Sequence, residues 1–268
     1  MLIRTLLATV VAGLVVGVVM TPIQYLKVVP LIVHAETYES GSGGHDHQQA
    51  AGLVSSAHAA TDAALSGATL DTAPDRESEN IRLAHSGHDH GDAADGGEGG
   101  DASLFESRIL GTLLADIVTG GGFALMLSAV ALLVGRRITT ANGALWGLAG
   151  FAAVALAPAL GLPPELPAMP VADLSARQGW WILTVGLTAI GLYLLILRRE
   201  PMLRAGGIAL LVVPHLFTAP HPADLSSPIP PTLAAEFAVA SLATGAVFWV
   251  LLGLAIGAAM DRFVPDRA

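Results

Sequence analysis

Long runs of apolar residues constrain this sequence more than any other feature. A helix needs about 20 mainly apolar residues to cross a hydrocarbon core about 30 Å thick. Strands of a membrane barrel would alternate polar and apolar residues over about ten positions, whereas the runs at 109–134 and 237–260 are apolar on all sides. The sequence therefore predicts an all-α membrane protein with about six transmembrane helices, at 5–33, 109–134, 141–162, 180–197, 205–219 and 234–260.

The composition supports a membrane protein and excludes several chemistries. Charged residues make up only 13% of the chain and apolar residues 53%, whereas about 25% of residues are charged in soluble domains. There is no cysteine, so disulfides, thiolate metal ligands and thiol nucleophiles are excluded. We find no P-loop, no HExxH helix and no GxSxG turn. The sequence therefore favours neither an enzyme nor a resident cofactor, and it predicts membrane lipid, not nucleic acid, as a partner.

Between the first two runs the composition changes to Gly, Ala, Ser, Asp and His. Such a segment cannot build a hydrophobic core, and we expect a large disordered loop. The predicted organisation is a transmembrane helix at 1–33, this His/Asp-rich loop at 34–106, a five-helix bundle at 107–262 and a tail at 263–268. An alternative for the first run is a cleavable signal peptide, since Val33-His34-Ala35 offers a small-x-small site. The run is, however, about twice as long as the apolar core of a signal, which has about 7–15 residues.

Arginines are concentrated at one set of helix ends, which is the pattern typical of cytoplasmic connections. Those ends contain few acidic residues, namely Glu200, Asp261 and Asp266. We therefore predict that both termini are cytoplasmic and that the His/Asp-rich loop is extracytoplasmic. The arginines that carry this prediction are Arg4, Arg136, Arg137, Arg198, Arg199, Arg204, Arg262 and Arg267.

Two segments of the loop repeat a His-Asp-His pattern. Imidazole and carboxylate groups are ligands that first-row divalent cations accept, and clusters of this kind indicate metal binding, with nickel, cobalt, zinc and copper all compatible. The alternative is a low-complexity spacer with incidental histidines, because no rigid surroundings are visible that would select an ion. The predicted metal ligands are His45, Asp46, His47, His85, His88, Asp89 and His90.

Ionisable side chains near or within the apolar runs are a second functional signal, because burying one in hydrocarbon costs at least about 2.5–3.5 kcal/mol. Asp116 and Glu236 have a structural alternative as first-turn carboxylates at the positive end of a helix. His215 has one as a partner of a carbonyl left unpaired by Pro214, in a short run that is either a half-helix lining a cavity or a tilted helix. The predicted transport path comprises His34, Glu36, Glu39, Asp116, His215 and Glu236.

Several short sequence blocks, each different and separated along the chain, together form a recognisable pattern. They are Val28-Val29-Pro30-Leu31-Ile32, Ala35-Glu36-Thr37-Tyr38-Glu39, Leu145-Trp146-Gly147-Leu148-Ala149-Gly150-Phe151, Leu156-Ala157-Pro158-Ala159-Leu160-Gly161-Leu162-Pro163-Pro164-Glu165-Leu166-Pro167, Ala176-Arg177-Gln178-x-Trp180-Trp181, Pro214-His215 and 237–249. With these blocks the chain resembles the CbtA family of predicted cobalt transporter subunits over nearly its whole length, apart from the His-rich loop. The resemblance implies cobalt uptake across the cytoplasmic (inner) membrane of a bacterium in connection with cobalamin synthesis. It also implies a retained first helix and a small membrane partner with a histidine-bearing terminus, CbtB.

Two functions remain open at this point. The first is membrane transport of a divalent transition-metal cation, with Co²⁺ favoured by the resemblance. Ni²⁺ and Zn²⁺ are alternatives, because His and Asp ligands rank these ions by a general affinity order. The second is a non-transporting membrane module, either a metal sensor or an assembly subunit of a transporter complex, in which the loop binds ions and the helices anchor it.

Overall fold

Helices form the regular structure of the residues that the computed structural model describes, 2–41 and 99–264. The predicted all-α fold is confirmed for these residues. The predicted metal ligands at 45–47 and 85–90 lie outside them. The helices are α1 (Leu2–Lys27), α2 (Val29–Gly41), α3 (Gly99–Leu133), α4 (Gly143–Ala159), α5 (Leu174–Leu197), α6 (Pro201–Leu216) and α7 (Pro231–Phe263).

By length and composition, four of the helices in the described part of the chain can cross a membrane, namely α1, α3, α5 and α7. Both α4 and α6 are shorter apolar helices. At 1.5 Å per residue each of these two is about 25 Å long, somewhat less than a hydrocarbon core about 30 Å thick. The chain is therefore a multi-pass membrane protein, and the prediction of about six spans stays a prediction for α4 and α6.

The first predicted span, 5–33, consists of two helices instead of one. The first helix ends at Lys27, and α2 begins at Val29, immediately before Pro30. Proline has no N–H and its ring clashes with the preceding turn, so it fits the start of a helix better than the interior. The second helix then continues to Gly41, past the end of the apolar run.

Close backbone contacts hold α1 and α3 together as an antiparallel pair. Gly13 packs against Gly120, and Gly17 packs against the backbone of Asp116. A Cβ atom at any of these three glycines would overlap the backbone that faces it. Small residues of this kind let membrane helices approach closely, and here they bring the side chains of α1 directly against α3.

The last helix, α7, packs against both α1 and α4. Gly143 and Gly147 of α4 lie against the backbone of Gly253 and Trp249 in α7. The ring of Trp249 is 4.9 Å from that of Phe123 in α3, measured between centroids. The buried apolar core of the bundle therefore lies where α1, α3, α4 and α7 meet, and it includes Met20, Leu127, Phe151, Phe248, Leu252 and Ile256.

One stretch of α4 departs from regular α-helix. It is a π-helical turn at Ala152–Leu156, where the N–H of Ala157 donates to the carbonyl of Ala152, five residues earlier. The fifth helix packs against this turn. It also packs against α6, with Gly191 of α5 facing Gly207 of α6.

The end of the bundle that contains α2 is held together by a second apolar cluster. In it, Val28 and Ala35 pack with Leu166 and Phe237, which joins α2 to the 160–173 connection and the start of α7. We call this the acidic end. The acidic residues of the described part of the chain that belong to it are Glu36, Glu39, Glu165, Asp173, Asp224 and Glu236.

Arg137 lies at the opposite end, which we call the basic end, and contacts the C-terminus of α7. Its guanidinium donates to the carbonyl oxygens of Met260 and Val264 at the C-terminus of α7, and the Met260 oxygen also accepts the N–H of Val264. Asp261 accepts hydrogen bonds from the backbone N–H and the hydroxyl of Thr140, both at 2.8 Å. Other arginines of this end in the described residues are Arg4, Arg136, Arg198, Arg199, Arg204 and Arg262.

Candidate functional site

Asp116 is a buried carboxyl group within the apolar part of α3, with only 8% of the residue exposed. Both of its oxygens accept hydrogen bonds from α1. The Thr21 hydroxyl donates to Oδ2 at 3.0 Å, and the Gln24 amide donates to Oδ1 at 2.7 Å. Thr21 and Gln24 are three residues apart and therefore share one face of α1. Among the described residues Asp116 forms no ion pair, so neutral donors hold this carboxyl group in place.

In the part of the chain that the structure describes, the groups around Asp116 that could bind a cation include the oxygen atoms of Thr21 and Gly17. The Thr21 hydroxyl lies 3.2 Å from the carbonyl oxygen of Gly17 as well as close to Asp116. A rotation of the Gln24 amide would turn its oxygen toward the carboxyl group, because an amide presents a donor on one side and an acceptor on the other. We call Asp116, Thr21 and Gln24 the α1–α3 polar group.

Glu36, one of the predicted path residues, forms an ion pair with Arg108. The guanidinium of Arg108, on α3, donates to its two carboxylate oxygens at 2.9 and 3.1 Å. This bidentate ion pair joins α2 to α3 at the acidic end, and both side chains are partly exposed. A metal ion that binds Glu36 must therefore compete with Arg108. His34 and Glu39 are exposed on the same helix.

His215 lines a cavity of about 200 Å³ at the acidic end. Its ring lies 6.2 Å from that of Trp180, between centroids, in an edge-on arrangement. A 3₁₀ turn at Val213–Leu216 ends α6 and positions His215. The lining combines the end of α4, the start of α5 and the end of α6, and consists of Leu160, Gly161, Trp180, His215, Phe217 and Ala219.

Glu236 lies in the second turn of α7 and is exposed. It borders a shallow apolar groove together with Leu31 of α2 and Val239 of α7. Glu236 therefore stands beside α2, close to the helix that carries the other predicted acidic residues.

The predicted path residues do not converge on one centre. In the part of the chain that the structure describes, no group of three or more His, Asp or Glu side chains could hold a metal ion. Asp116 is hydrogen-bonded to α1, whereas the residues that line the His215 cavity belong to α5, α6 and the segments that follow α4 and α6. The structure thus presents three separate places, which are the α2 residues His34, Glu36 and Glu39, the α1–α3 polar group, and the His215 cavity.

The connection between α4 and α5 carries a second ion pair at the acidic end. Arg177 donates to Glu165 at 2.7 Å. Burial raises the pKa of Glu165 above its ordinary value, although the positive charge of Arg177 opposes this rise. Nearby, hydrogen bonds from the Ser175 hydroxyl and the Ala176 N–H lower the pKa of Asp173, the N-cap residue of α5.

Sequence reasoning missed the partners of the predicted acidic residues. Thr21 and Gln24 are polar residues inside a long apolar run at a helical spacing of three, which was the available signal. Nothing in the sequence pairs Arg108 with Glu36, because the two residues are 72 positions apart and the contact depends on how α2 meets α3.

The helices define a multi-pass membrane protein. The chain belongs to the CbtA family: the family model described as "Probable cobalt transporter subunit (CbtA)" matches residues 2–261. The resemblance inferred from the sequence is confirmed, and the family implies a transporter subunit and not an enzyme. No match was found among curated proteins or among solved structures.

Proposed function

We propose that this chain takes up a divalent transition-metal cation, Co²⁺, across the cytoplasmic membrane of a bacterium and so supplies cobalamin synthesis. Membership of a cobalt transporter family supports the class of substrate. The observation that carries the proposal is Asp116, a buried carboxyl group at membrane depth that is held by a threonine and a glutamine of another helix. A carboxyl group in this position is costly to maintain, and such residues mark ion pathways.

The proposed orientation places the acidic end outside the cell and the basic end in the cytoplasm. The arginines of the basic end favour this orientation, because basic connections are retained on the cytoplasmic side. The acidic end would then present carboxylates and imidazoles to an arriving cation, and both termini would be cytoplasmic.

In the proposed route, the cation is first collected by the His/Asp ligands His45, Asp46, His47, His85, His88, Asp89 and His90. It then reaches His34, Glu36 and Glu39 on α2, where it displaces Arg108 from Glu36. The metal cation and the guanidinium of Arg108 would compete there for the carboxylate of Glu36. Arg108 would therefore lower the affinity of Glu36 for the metal and allow the metal to leave.

From α2 the cation has two ways into the bundle, and both are retained in the proposal. One leads to Asp116 in the α1–α3 polar group. The other passes Glu236 and reaches the His215 cavity. An imidazole and a carboxyl group both bind Co²⁺, Ni²⁺ and Zn²⁺, so these residues support a transition-metal substrate without selecting one ion.

The partner proposed from the resemblance is the small membrane protein CbtB. The alternative function, a metal sensor or assembly subunit that does not transport, draws support from the absence of a gathered metal cluster in residues 2–41 and 99–264. The two functions differ in whether purified protein moves metal, and this difference can be measured.

The test is uptake of Co²⁺, Ni²⁺ and Zn²⁺ into proteoliposomes that contain the chain, with and without the small partner, under an imposed membrane potential. Wild-type protein is expected to accumulate Co²⁺. Glu36→Ala, Asp116→Ala and His215→Ala are expected to reduce the initial rate at least about tenfold where the residue lies on the route, which corresponds to about 1.4 kcal/mol.

Asp224→Asn is the matched control, since Asp224 is an exposed carboxylate of the acidic end that accepts hydrogen bonds from the N–H and the hydroxyl of Ser226. Its uptake should equal that of the wild type. Deletion of residues 45–90 tests whether the helices transport metal without the loop. Metal uptake by the shortened chain would exclude the alternative in which the helices only anchor a metal-binding loop. If wild-type protein with its partner never moves any of the three metals, the transport proposal is wrong and the sensor reading stands.

A further inference from the structure

Three buried polar atoms follow one face of α5 without a hydrogen-bond partner among the described residues. They are Trp180 Nε1, Thr184 Oγ1 and Thr188 Oγ1. Thr184 and Thr188 are 0% and 2% exposed. A threonine in a helix usually bonds a carbonyl of the preceding turn or another partner, and buried polar groups in native proteins are almost always bonded to protein or to water.

The spacing of these atoms makes them a continuous track. Positions four and eight residues beyond Trp180 lie on the same helical face, about 6 Å apart along the axis. The track begins at the His215 cavity, which Trp180 lines, and it reaches Thr188 near the middle of the 24-residue helix α5. It therefore runs from the acidic end to about half the depth of the membrane.

One of the segments that pack against α5 is irregular. The π-helical turn of α4 packs against α5, and Pro158 lies two residues beyond the end of that turn. Because Pro158 has no N–H, neither Ala153 nor Val154 receives a hydrogen bond from position 158. Irregular backbone at membrane depth is tolerated where it lines a water-filled cavity, and π-turns are frequent at functional sites.

We propose that the buried face of α5, from the His215 cavity past Thr184 to Thr188, is a hydrated passage for a divalent cation. Water bound to the two hydroxyls and to carbonyl groups of α4 would satisfy the polar atoms and keep part of the hydration shell of the ion. This inference rests on the proposed function and extends it. It assigns the part of the route that continues inward from the His215 cavity along α5 to residues that carry no charge.

The absence of cysteine from the chain allows a direct test. Thr184→Cys and Thr188→Cys are prepared in the full-length protein, reconstituted in sealed vesicles, and treated with a membrane-impermeant cationic thiosulfonate. Both thiols are expected to react. Co²⁺ at about 1 mM is expected to slow the reaction severalfold by occupying the passage. A thiol in a dry site would not react, because the thiolate is the reactive form and does not form without water.

Two matched variants define the background. Ile182→Cys places a thiol on the exposed apolar face of α5, where Ile182 is 62% exposed and would face lipid, and Ala124→Cys places one in the tightly packed core at a residue with 0% exposure. Neither is expected to react. If the thiols at 184 and 188 react no faster than the one at 124, the passage does not exist.

Valine substitutions give an independent readout. An unpaired hydroxyl in a dry core is unfavourable, so Thr184→Val and Thr188→Val would raise stability and leave uptake unchanged if the site were empty. If the site is hydrated, the two valine variants should be less stable than the wild type and should take up Co²⁺ severalfold more slowly. Thr184→Ser, which keeps the hydroxyl, should have the stability and the uptake rate of the wild type. If the protein accumulates Co²⁺ but the thiols do not react, the passage along α5 is wrong and the proposed transport function stands. If the thiols react but no preparation accumulates Co²⁺, the passage stands and the transport function is wrong.

Discussion

Replacing Thr21 with valine tests whether the α1–α3 polar group holds the two helices together. The substitution keeps the shape of the side chain and removes the hydroxyl that donates to Asp116 at 3.0 Å. Interhelical hydrogen bonds in membranes contribute about 0.6 kcal/mol on average and about 1.7 kcal/mol at most. Bonds to charged acceptors reach about 1.5–3 kcal/mol. Because Asp116 is 8% exposed and accepts on both oxygens, we expect a coupling energy near the overlap of these ranges, about 1.5 kcal/mol.

The coupling energy is measured with a double-mutant cycle of Thr21→Val and Asp116→Asn. Each variant is unfolded with a denaturing detergent in mixed micelles, and the free energy of unfolding is compared with that of the wild type. The cycle is needed because the one hydroxyl proton of Thr21 is shared between Asp116 and the carbonyl oxygen of Gly17, which lies 3.2 Å from Oγ1, and the single variant would report the loss of both contacts.

Thr9 supplies the matched control, since it lies about three turns earlier in α1 and likewise contacts α3, through a hydrogen bond with Ser128 at 3.1 Å. Thr9→Val and Asp116→Asn should be additive within about 0.5 kcal/mol, as expected of residues that share no partner. A coupling energy for Thr21 and Asp116 no larger than that of the control pair would refute the assignment of this hydrogen bond as an interhelical link.

Three further predictions concern other contacts. Arg108→Gln should change stability by less than about 1 kcal/mol, because the Glu36 pair is partly exposed, and should tighten Co²⁺ binding at α2 severalfold in a metal-competition titration; unchanged affinity would contradict the competition between Arg108 and metal. Gly120→Ala should cost about 1–3 kcal/mol through overlap with Gly13, whereas Gly122→Ala, which meets open space, should cost almost nothing; equal losses would contradict the close α1–α3 contact. Because the pKa of Glu165 is raised in the folded protein, its contribution to stability is present at acidic pH and is lost as the pH rises through that pKa. Glu165→Gln should therefore reduce the pH dependence of the melting temperature in this range, and an unchanged profile would exclude Glu165 as its source.

The helical class and the family could be predicted from the sequence because they depend on local composition. A run of about 20 apolar residues predicts a spanning helix, and the C-terminal ends of α3 and α5, at Leu133 and Leu197, lie where the apolar residues give way to arginines. The break at Pro30 is also a local property, but its effect was missed: the first run has the length of one helix, and the proline divides it into α1 and α2.

The candidate site was less predictable, because its partners come from distant parts of the chain. Asp116 and His215 were identified from their charge or ring in an apolar context. Their surroundings depend on which helix faces which: Gly13 and Gly17 bring α1 onto α3 and so place Thr21 and Gln24 against Asp116. The same holds for Thr184 and Thr188, which in the sequence are two ordinary residues of a span.

The sequence by itself determined that this chain lies in a membrane as helices, which family it belongs to, and which few side chains are polar enough to bind a cation. Each of these properties follows from the solubility of single residues in hydrocarbon and from their order. Only the tertiary structure decided that Glu36 meets Arg108, that Asp116 is held by α1, and that His215 opens onto a separate cavity. Those outcomes depend on the register of one helix against another, and that register is set by the packing of small residues far apart in the chain.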